Sequence, residues 1–210
     1  MTLVDLRITD AKALEQFEAL VLSQQPASAP WRPVTDYSFE ARKQIEGIHP
    51  QLICDWLVGC EDADILDYGC GPGHLVWLLR EENARRRWQL GVDGYDITYP
   101  TSPPTQAAVY DLVICREVLE HCTVREIRDL VARLCAYSAR LVYVTTRFAQ
   151  SPQHLLSVDT SDGLDPTHIT MLNQSFLRML FVLEGFRRRA DLEAKMDHKG
   201  YGRVLVYERV

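Results

Sequence analysis

Hydrophobic positions along the chain change period several times, and each change marks an element. Leu14, Phe17, Leu20 and Val21 fall at helical spacing between Thr9 and Ser23, with Thr9 or Asp10 placed to cap, which predicts a first helix. The run from Pro26 to Pro33 stops it and reads as an extended connection. Phe39 to Gly59 is again mostly helical, with an interruption near His49 and Pro50. Its second part, Pro50 to Val58, sets Leu52, Ile53, Trp56 and Leu57 on one side. From there short apolar runs alternate with helical stripes. Ile65 to Tyr68, Trp88 to Tyr95, Asp111 to Cys115 and Arg140 to Thr146 read as strands of the kind buried on both faces.

The intervening stripes read as crossover helices. His74 to Arg87 carries Leu75, Leu78 and Leu79 inward. Thr123 and Glu126 form a capping box for a helix reaching about Ser138, with Val124, Ile127, Leu130, Val131 and Leu134 as its buried stripe. Asn173 caps a third helix carrying Phe176, Leu177, Leu180 and Phe181, which Gly185 stops. Phe186 to Leu192 and Arg203 to Glu208 alternate as two closing strands. Two stretches break the rhythm: Thr98 to Thr105, with three prolines and at best a strand stub at Ala107 to Val109 beyond it, and a polar loop from Arg147 to Thr170. The alternation predicts an α/β sheet covered on both faces, preceded by a helical extension over residues 1–49 that could act as a lid.

Composition narrows the class. The 210 residues suit one domain and carry no apolar run near the roughly 20 residues that span a bilayer. The first ten residues lack the apolar core of a secretory signal. Six cysteines, 54, 60, 70, 115, 122 and 135, are scattered without a CxxC pair, which favours reduced thiols and a cytoplasmic location. A formal net charge of -6 argues against a nucleic-acid footprint, and the basic runs Arg85 to Arg87 and Arg187 to Arg189 read as solvated charges at helix and strand ends.

Candidate chemistry gathers around Ile65 to Gly73, where a strand reaches Asp67 and breaks into glycines at 69, 71 and 73 before a helix begins. Such a turn lets backbone approach a ligand where side chains would collide. The spacing is G-x-G-x-G with His74 in sixth place, so the dinucleotide fingerprint is incomplete, and no Gly-Lys-Ser/Thr ending marks a phosphate loop. In a parallel sheet, segments 67–73, 95–98, 115–121 and 145–148 converge at the carboxyl ends of the strands, where a ligand is expected.

Leu66-Asp-Tyr-Gly-Cys-Gly-Pro-Gly73, with Gly94-Tyr-Asp-Ile-Thr98 and Tyr110-Asp-Leu-Val-Ile-Cys-Arg-Glu-Val-Leu-Glu-His121, resembles the successive motifs of class I S-adenosylmethionine-dependent methyltransferases. Gly185-Phe186 is similar to the family's glycine-phenylalanine step before its last strands, and the likeness spans residues 50–210. It implies a Rossmann-like sheet of seven mostly parallel strands, the last antiparallel. It also implies S-adenosylmethionine as cofactor. Backbone at Gly69, Cys70, Gly71 and Gly73 would pack on its methionine and ribose portion, with Asp67 toward the ammonium. Arg116 falls in the same set. An acid at the end of the second strand would take the ribose hydroxyls. Asp93 and Asp96 compete, and the motif favours Asp96, with Tyr95 or Ile97 flanking the adenine. One departure stands out: only some fourteen residues separate Asp96 from Asp111, too few for the family's next helix and strand. Trp31, Tyr37 and Phe39 of the extension are candidates to close that side.

His121 and His168 are the candidate catalytic or acceptor-binding residues, because a base helps when the acceptor is a hydroxyl or amine. Tyr37, Arg147 and His154 are further candidates for the acceptor pocket. Glu117, Glu120 and His121 resemble the E-x-x-E-H run that binds a divalent ion in some RNA-end and ubiquinone-pathway methyltransferases, with His168 as a fourth ligand. The same run is widespread in members without metal, so no metal is assigned. The reading is a methyltransferase acting on a small molecule or biosynthetic intermediate. The rivals are a non-catalytic regulatory or assembly subunit and a metal-assisted RNA-end methyltransferase.

Overall fold

The computed structural model describes residues 8–22, 50–59, 61–99, 101–105, 108–148, 168–170, 173–197, 200 and 202–210. Helix α1 (Ala11–Leu22) starts where the Asp10 carboxylate accepts the Ala13 N–H at 2.8 Å. Helix α2 begins at Pro50–Leu52 and widens over Ile53–Val58, where Gly59 N–H reaches back five residues to Cys54 O at 2.8 Å. Then follow β1 (Asp64–Tyr68), α3 (His74–Arg86), β2 (Gly91–Tyr95), β3 (Tyr110–Arg116), α4 (Val124–Tyr137), β4 (Ser138–Thr145), α5 (Gln174–Leu183), β5 (Phe186–Arg188), α6 (Ala190–Met196) and β6 (Val204–Arg209).

The strands form one sheet in the order β2-β1-β3-β4-β6-β5. The first four are parallel, and β6 runs antiparallel to both β4 and β5. Helices α1, α4 and α5 contribute Leu14, Phe17, Ile127, Leu134, Phe176 and Phe181 to the core on one face. Helices α2, α3 and α6 contribute Ile53, Leu57, Leu75, Leu79, Leu192 and Met196 to the core on the other. The Thr123 capping box and the Asn173 cap, whose Oδ1 accepts from Ser175 N–H at 2.8 Å, are both present.

Two expectations are corrected, and of the seven strands expected in the sheet six lie among the described residues. Outward backbone groups at the β2 edge of the sheet are met by side chains: Asn83 brackets the N–H and C=O of Leu90, just before the strand, at 3.1 and 3.2 Å, and Arg80 reaches Val92 O at 2.7 Å. The expected strand through Leu192 ends at Arg188 and gives way to α6. Glu193 fixes that turn by accepting from Arg188 Nε at 2.6 Å and from Val206 N–H at 3.2 Å. In α2 the wide turns rotate Trp56 outward, where Lys195 Nζ sits 4.1 Å from its ring centroid, and bring Cys54 and Val58 inward. Trp31, Tyr37, Phe39 and His154 lie outside the described residues. Among the described residues, no helix is long and apolar enough to cross a membrane.

Candidate active site at the carboxyl ends of β1 to β3

The chain leaves β1 for β2 on one side and returns to β3 on the other, so the crevice between β1 and β3 is the switch point of the sheet. Asp67 lies there, 3 % exposed, with Gly94 of β2 and Ile114 of β3 as its register neighbours. The glycine turn is pinned to the end of β2: Gly69 N–H and Cys70 N–H both donate to Tyr95 O, at 2.7 and 3.1 Å. Gly69, Gly71 and Gly73 all have positive φ, at 86°, 53° and 84°.

Their surroundings differ. A Cβ at Gly69 would lie 2.3 Å from Val118 Cγ2, so the absent side chain makes room for Val118. A Cβ at Gly71 meets nothing nearer than Tyr99 Cε2 at 4.0 Å, and one at Gly73 meets nothing within 4 Å. The turn therefore offers open backbone at its second and third glycines, which fits a ligand laid against it. Cys70 is half-buried, and burial, with Asp67 and Asp96 adding, pushes its thiol up to about 12, so it stays a protonated lining group.

The two candidate acids occupy different places. Asp93 lies within β2 and accepts from Tyr110 Oη at 3.0 Å. Asp96 follows the strand end. Its Oδ2 accepts Gly71 N–H at 2.8 Å, and its Oδ1 accepts Thr98 N–H at 2.7 Å and Thr98 Oγ1 at 2.6 Å. Thr101 Oγ1 accepts Asp96 N–H at 2.8 Å and lies 3.0 Å from Asp96 O. Tyr95 packs edge-on against Tyr68, centroids 5.0 Å apart, while Ile97 is 87 % exposed beside the acid. Arg116 is half-buried at the end of β3, paired in register with Thr145.

On the other side of β3, Glu117 has φ 50° and its N–H donates to Thr145 O at 2.8 Å. A single 3₁₀ turn, Leu119–His121, follows. Glu120 is fully buried, its Oε2 accepts from Thr146 Oγ1 at 2.9 Å, and burial together with the nearby Glu117 raises its carboxyl well above the ordinary range. Segment 168–170 docks on this turn: Ile169 and Thr170 N–H groups donate to Glu120 O at 2.8 and 3.1 Å, and Thr170 Oγ1 donates to Cys122 O at 2.6 Å. That docking sets the rings of His121 and His168 edge to face, centroids 4.8 Å apart. Among the described residues, no three His, Cys, Asp or Glu side chains form a set able to hold a metal ion.

Thr98, Thr101, Val118, Thr146 and Thr170 belong to this site and are absent from the sequence-derived set. Only Thr98 left a signal, standing two residues after an acid, the spacing at which Asx turns form. Five of the six arginines in the basic runs pair with carboxylates: Arg85 with Glu82, Arg86 with Glu82 and Asp55, Arg187 with Glu208, Arg188 with Glu193, and Arg189 with Asp191 and Glu208.

A family model described as methyltransferase domain matches residues 41–189. No curated protein matches closely enough to count as a relative. Among solved structures, the chain is similar to an S-adenosylmethionine-dependent methyltransferase from Archaeoglobus fulgidus at 16 % identity and a TM-score of 0.52, covering 83 % of this chain and 100 % of that one. It also matches magnesium protoporphyrin IX methyltransferase from Synechocystis with bound S-adenosylhomocysteine, at 17 % identity, a TM-score of 0.49 and 95 % coverage of both chains. A third match is an O-methyltransferase family protein from Burkholderia thailandensis, at 12 % identity and a TM-score of 0.49, covering 95 % of this chain and 59 % of that one. With its glycine turn, strand-end acid and sheet order, the chain belongs to the methyltransferase-domain family and has the class I S-adenosylmethionine-dependent methyltransferase fold.

Proposed function

We propose that the protein transfers a methyl group from S-adenosylmethionine to an oxygen or nitrogen of a small-molecule or biosynthetic-intermediate acceptor in the cytoplasm. The observation that carries this reading is the arrangement of the strand ends. Open backbone at Gly71 and Gly73, with Asp96 beside it, lies on one side of the crevice, and the His121–His168 pair follows the third strand. The cofactor supplies a methyl group already activated by a positively charged sulfur. What the chain must add is mainly positioning and exclusion of water. Asp67 and Asp96 are assigned to the ammonium and ribose ends, and Gly69, Cys70, Gly71, Gly73, Tyr95, Ile97 and Arg116 to the surrounding contacts.

On the acceptor side, His121 is assigned as the base that takes a proton from a hydroxyl or amine, and His168 as the group that orients it. The clamp of segment 168–170 on Glu120 supports that assignment by holding the two rings together. A small acceptor is favoured over RNA because five of the six arginines in the basic runs already pair with carboxylates of the same chain. The test is calorimetric titration with S-adenosylhomocysteine, followed by a labelled-methyl screen over phenols, carboxylic acids and amines. Binding that survives Asp96→Ala, or a folded wild type that does not bind at millimolar ligand, refutes the proposal.

A further inference from the structure

We propose that the Thr98 hydroxyl competes with the ribose diol for the Asp96 carboxylate and so lowers the affinity for the nucleoside cofactor. The inference rests on Asp96 being the ribose acid. An ionised carboxylate offers about four lone-pair directions. Three are occupied here, by Gly71 N–H, Thr98 N–H and Thr98 Oγ1. A vicinal diol making a bidentate contact requires two. One resident donor has to leave, and the Thr98 hydroxyl is the one that can do so most easily. Thr98 is exposed, so its hydroxyl can return to water, and it leaves by a rotation about one side-chain bond. The two backbone N–H groups move only if the glycine turn or the chain after β2 moves.

The opposite reading is that Thr98 helps by holding Asp96 in place. Orientation is already supplied without the hydroxyl. Oδ2 is fixed by Gly71, Oδ1 by Thr98 N–H, and the Asp96 backbone N–H by Thr101 Oγ1. A valine at position 98 keeps the backbone donor, removes the hydroxyl donor and leaves two lone-pair directions for the diol.

Isothermal titration calorimetry with S-adenosylhomocysteine on the full chain tests this. Thr98→Val is expected to tighten Kd about three- to tenfold, or roughly 0.7 to 1.4 kcal/mol. Thr98→Ser, which keeps the hydroxyl, should stay within about twofold of wild type. In an Asp96→Asn background the gain from valine should fall below about twofold, because the competition is for the carboxylate. Thr98→Ala serves as a second hydroxyl-free variant if valine perturbs the loop, and is expected to shift Kd in the same direction. Weaker or unchanged binding in both hydroxyl-free variants, with wild type binding normally, overturns the competition and leaves the cofactor assignment standing. An equal gain in the Asp96→Asn background overturns it as well. Absence of binding in every variant removes the cofactor assignment and this inference together.

Discussion

Gly69 and Gly73 have nearly the same backbone conformation, φ 86° and 84°, but different surroundings, so alanine at each separates two costs that are usually confounded. Placing an L-residue at that φ costs roughly 1–2 kcal/mol. At Gly73 nothing lies within 4 Å of the added methyl, so the backbone term is the whole of the expected loss. At Gly69 the methyl would sit 2.3 Å from Val118 Cγ2, well inside normal contact. Overpacking of that kind costs about 1–3 kcal/mol more. Gly73→Ala should therefore destabilise by roughly 1–2 kcal/mol and Gly69→Ala by roughly 2–5 kcal/mol. The gain from a less flexible unfolded chain applies to both variants and cancels in the comparison. Urea unfolding with an unchanged m-value measures both. A double-mutant cycle of Gly69→Ala with Val118→Ala should recover about 1 kcal/mol or more of the excess. If Gly69→Ala costs no more than Gly73→Ala, or the cycle shows no coupling, the packing account of the turn is wrong.

Three further outcomes follow from buried polar groups. Tyr207 is fully buried and stacked on Phe181 at 3.9 Å, and its hydroxyl has no hydrogen-bond partner among the described residues, so Tyr207→Phe should leave stability unchanged or raise it by about 1–2 kcal/mol; a comparable loss in urea unfolding contradicts this. Burial and Glu117 raise the Glu120 carboxyl, so the neutral form is the one the fold favours. That stability is present below the ordinary carboxylate pKa and is lost as pH rises, so Glu120→Gln should gain on wild type as pH rises above 4.5, by at most about 1.4 kcal/mol per unit; a gap that does not move with pH refutes it. Hydrogen bonds from Arg85 and then Arg86 hold Glu82 down to about 2, so its contribution is present above pH 4.5 and lost as pH falls toward 2. Because Arg85 is largely exposed, Glu82→Gln should cost only about 1–2 kcal/mol at pH 7 and little near pH 2, as a pH series of urea midpoints would show.

The features legible in the sequence are those whose cause lies within a few residues. The Thr123 capping box, the Asn173 cap and the Gly185 stop each involve partners at most four positions apart, and all are present. The placement of the two acids was legible too: the motif puts Asp96 beyond the strand and Asp93 within it, as the structure does. The missed features depend on distant partners. Whether the chain after Arg188 continues as strand or turns into α6 is decided by Glu193 reaching Val206, on a strand not yet formed when that stretch is read. The histidine pair, whose two members the sequence did single out together, likewise depends on distant contacts. Residues 47 positions apart meet because Glu120 O receives two N–H donors from a segment that carries no periodic signal. Thr98 is the instructive exception. Its bonds to Asp96 are local, but a D-x-T spacing also fits an ordinary turn, and only the third donor from Gly71 shows that the carboxylate is nearly saturated. A motif can thus single out one acid at a strand end, while the number of donors already on that acid depends on groups brought to it from other parts of the fold.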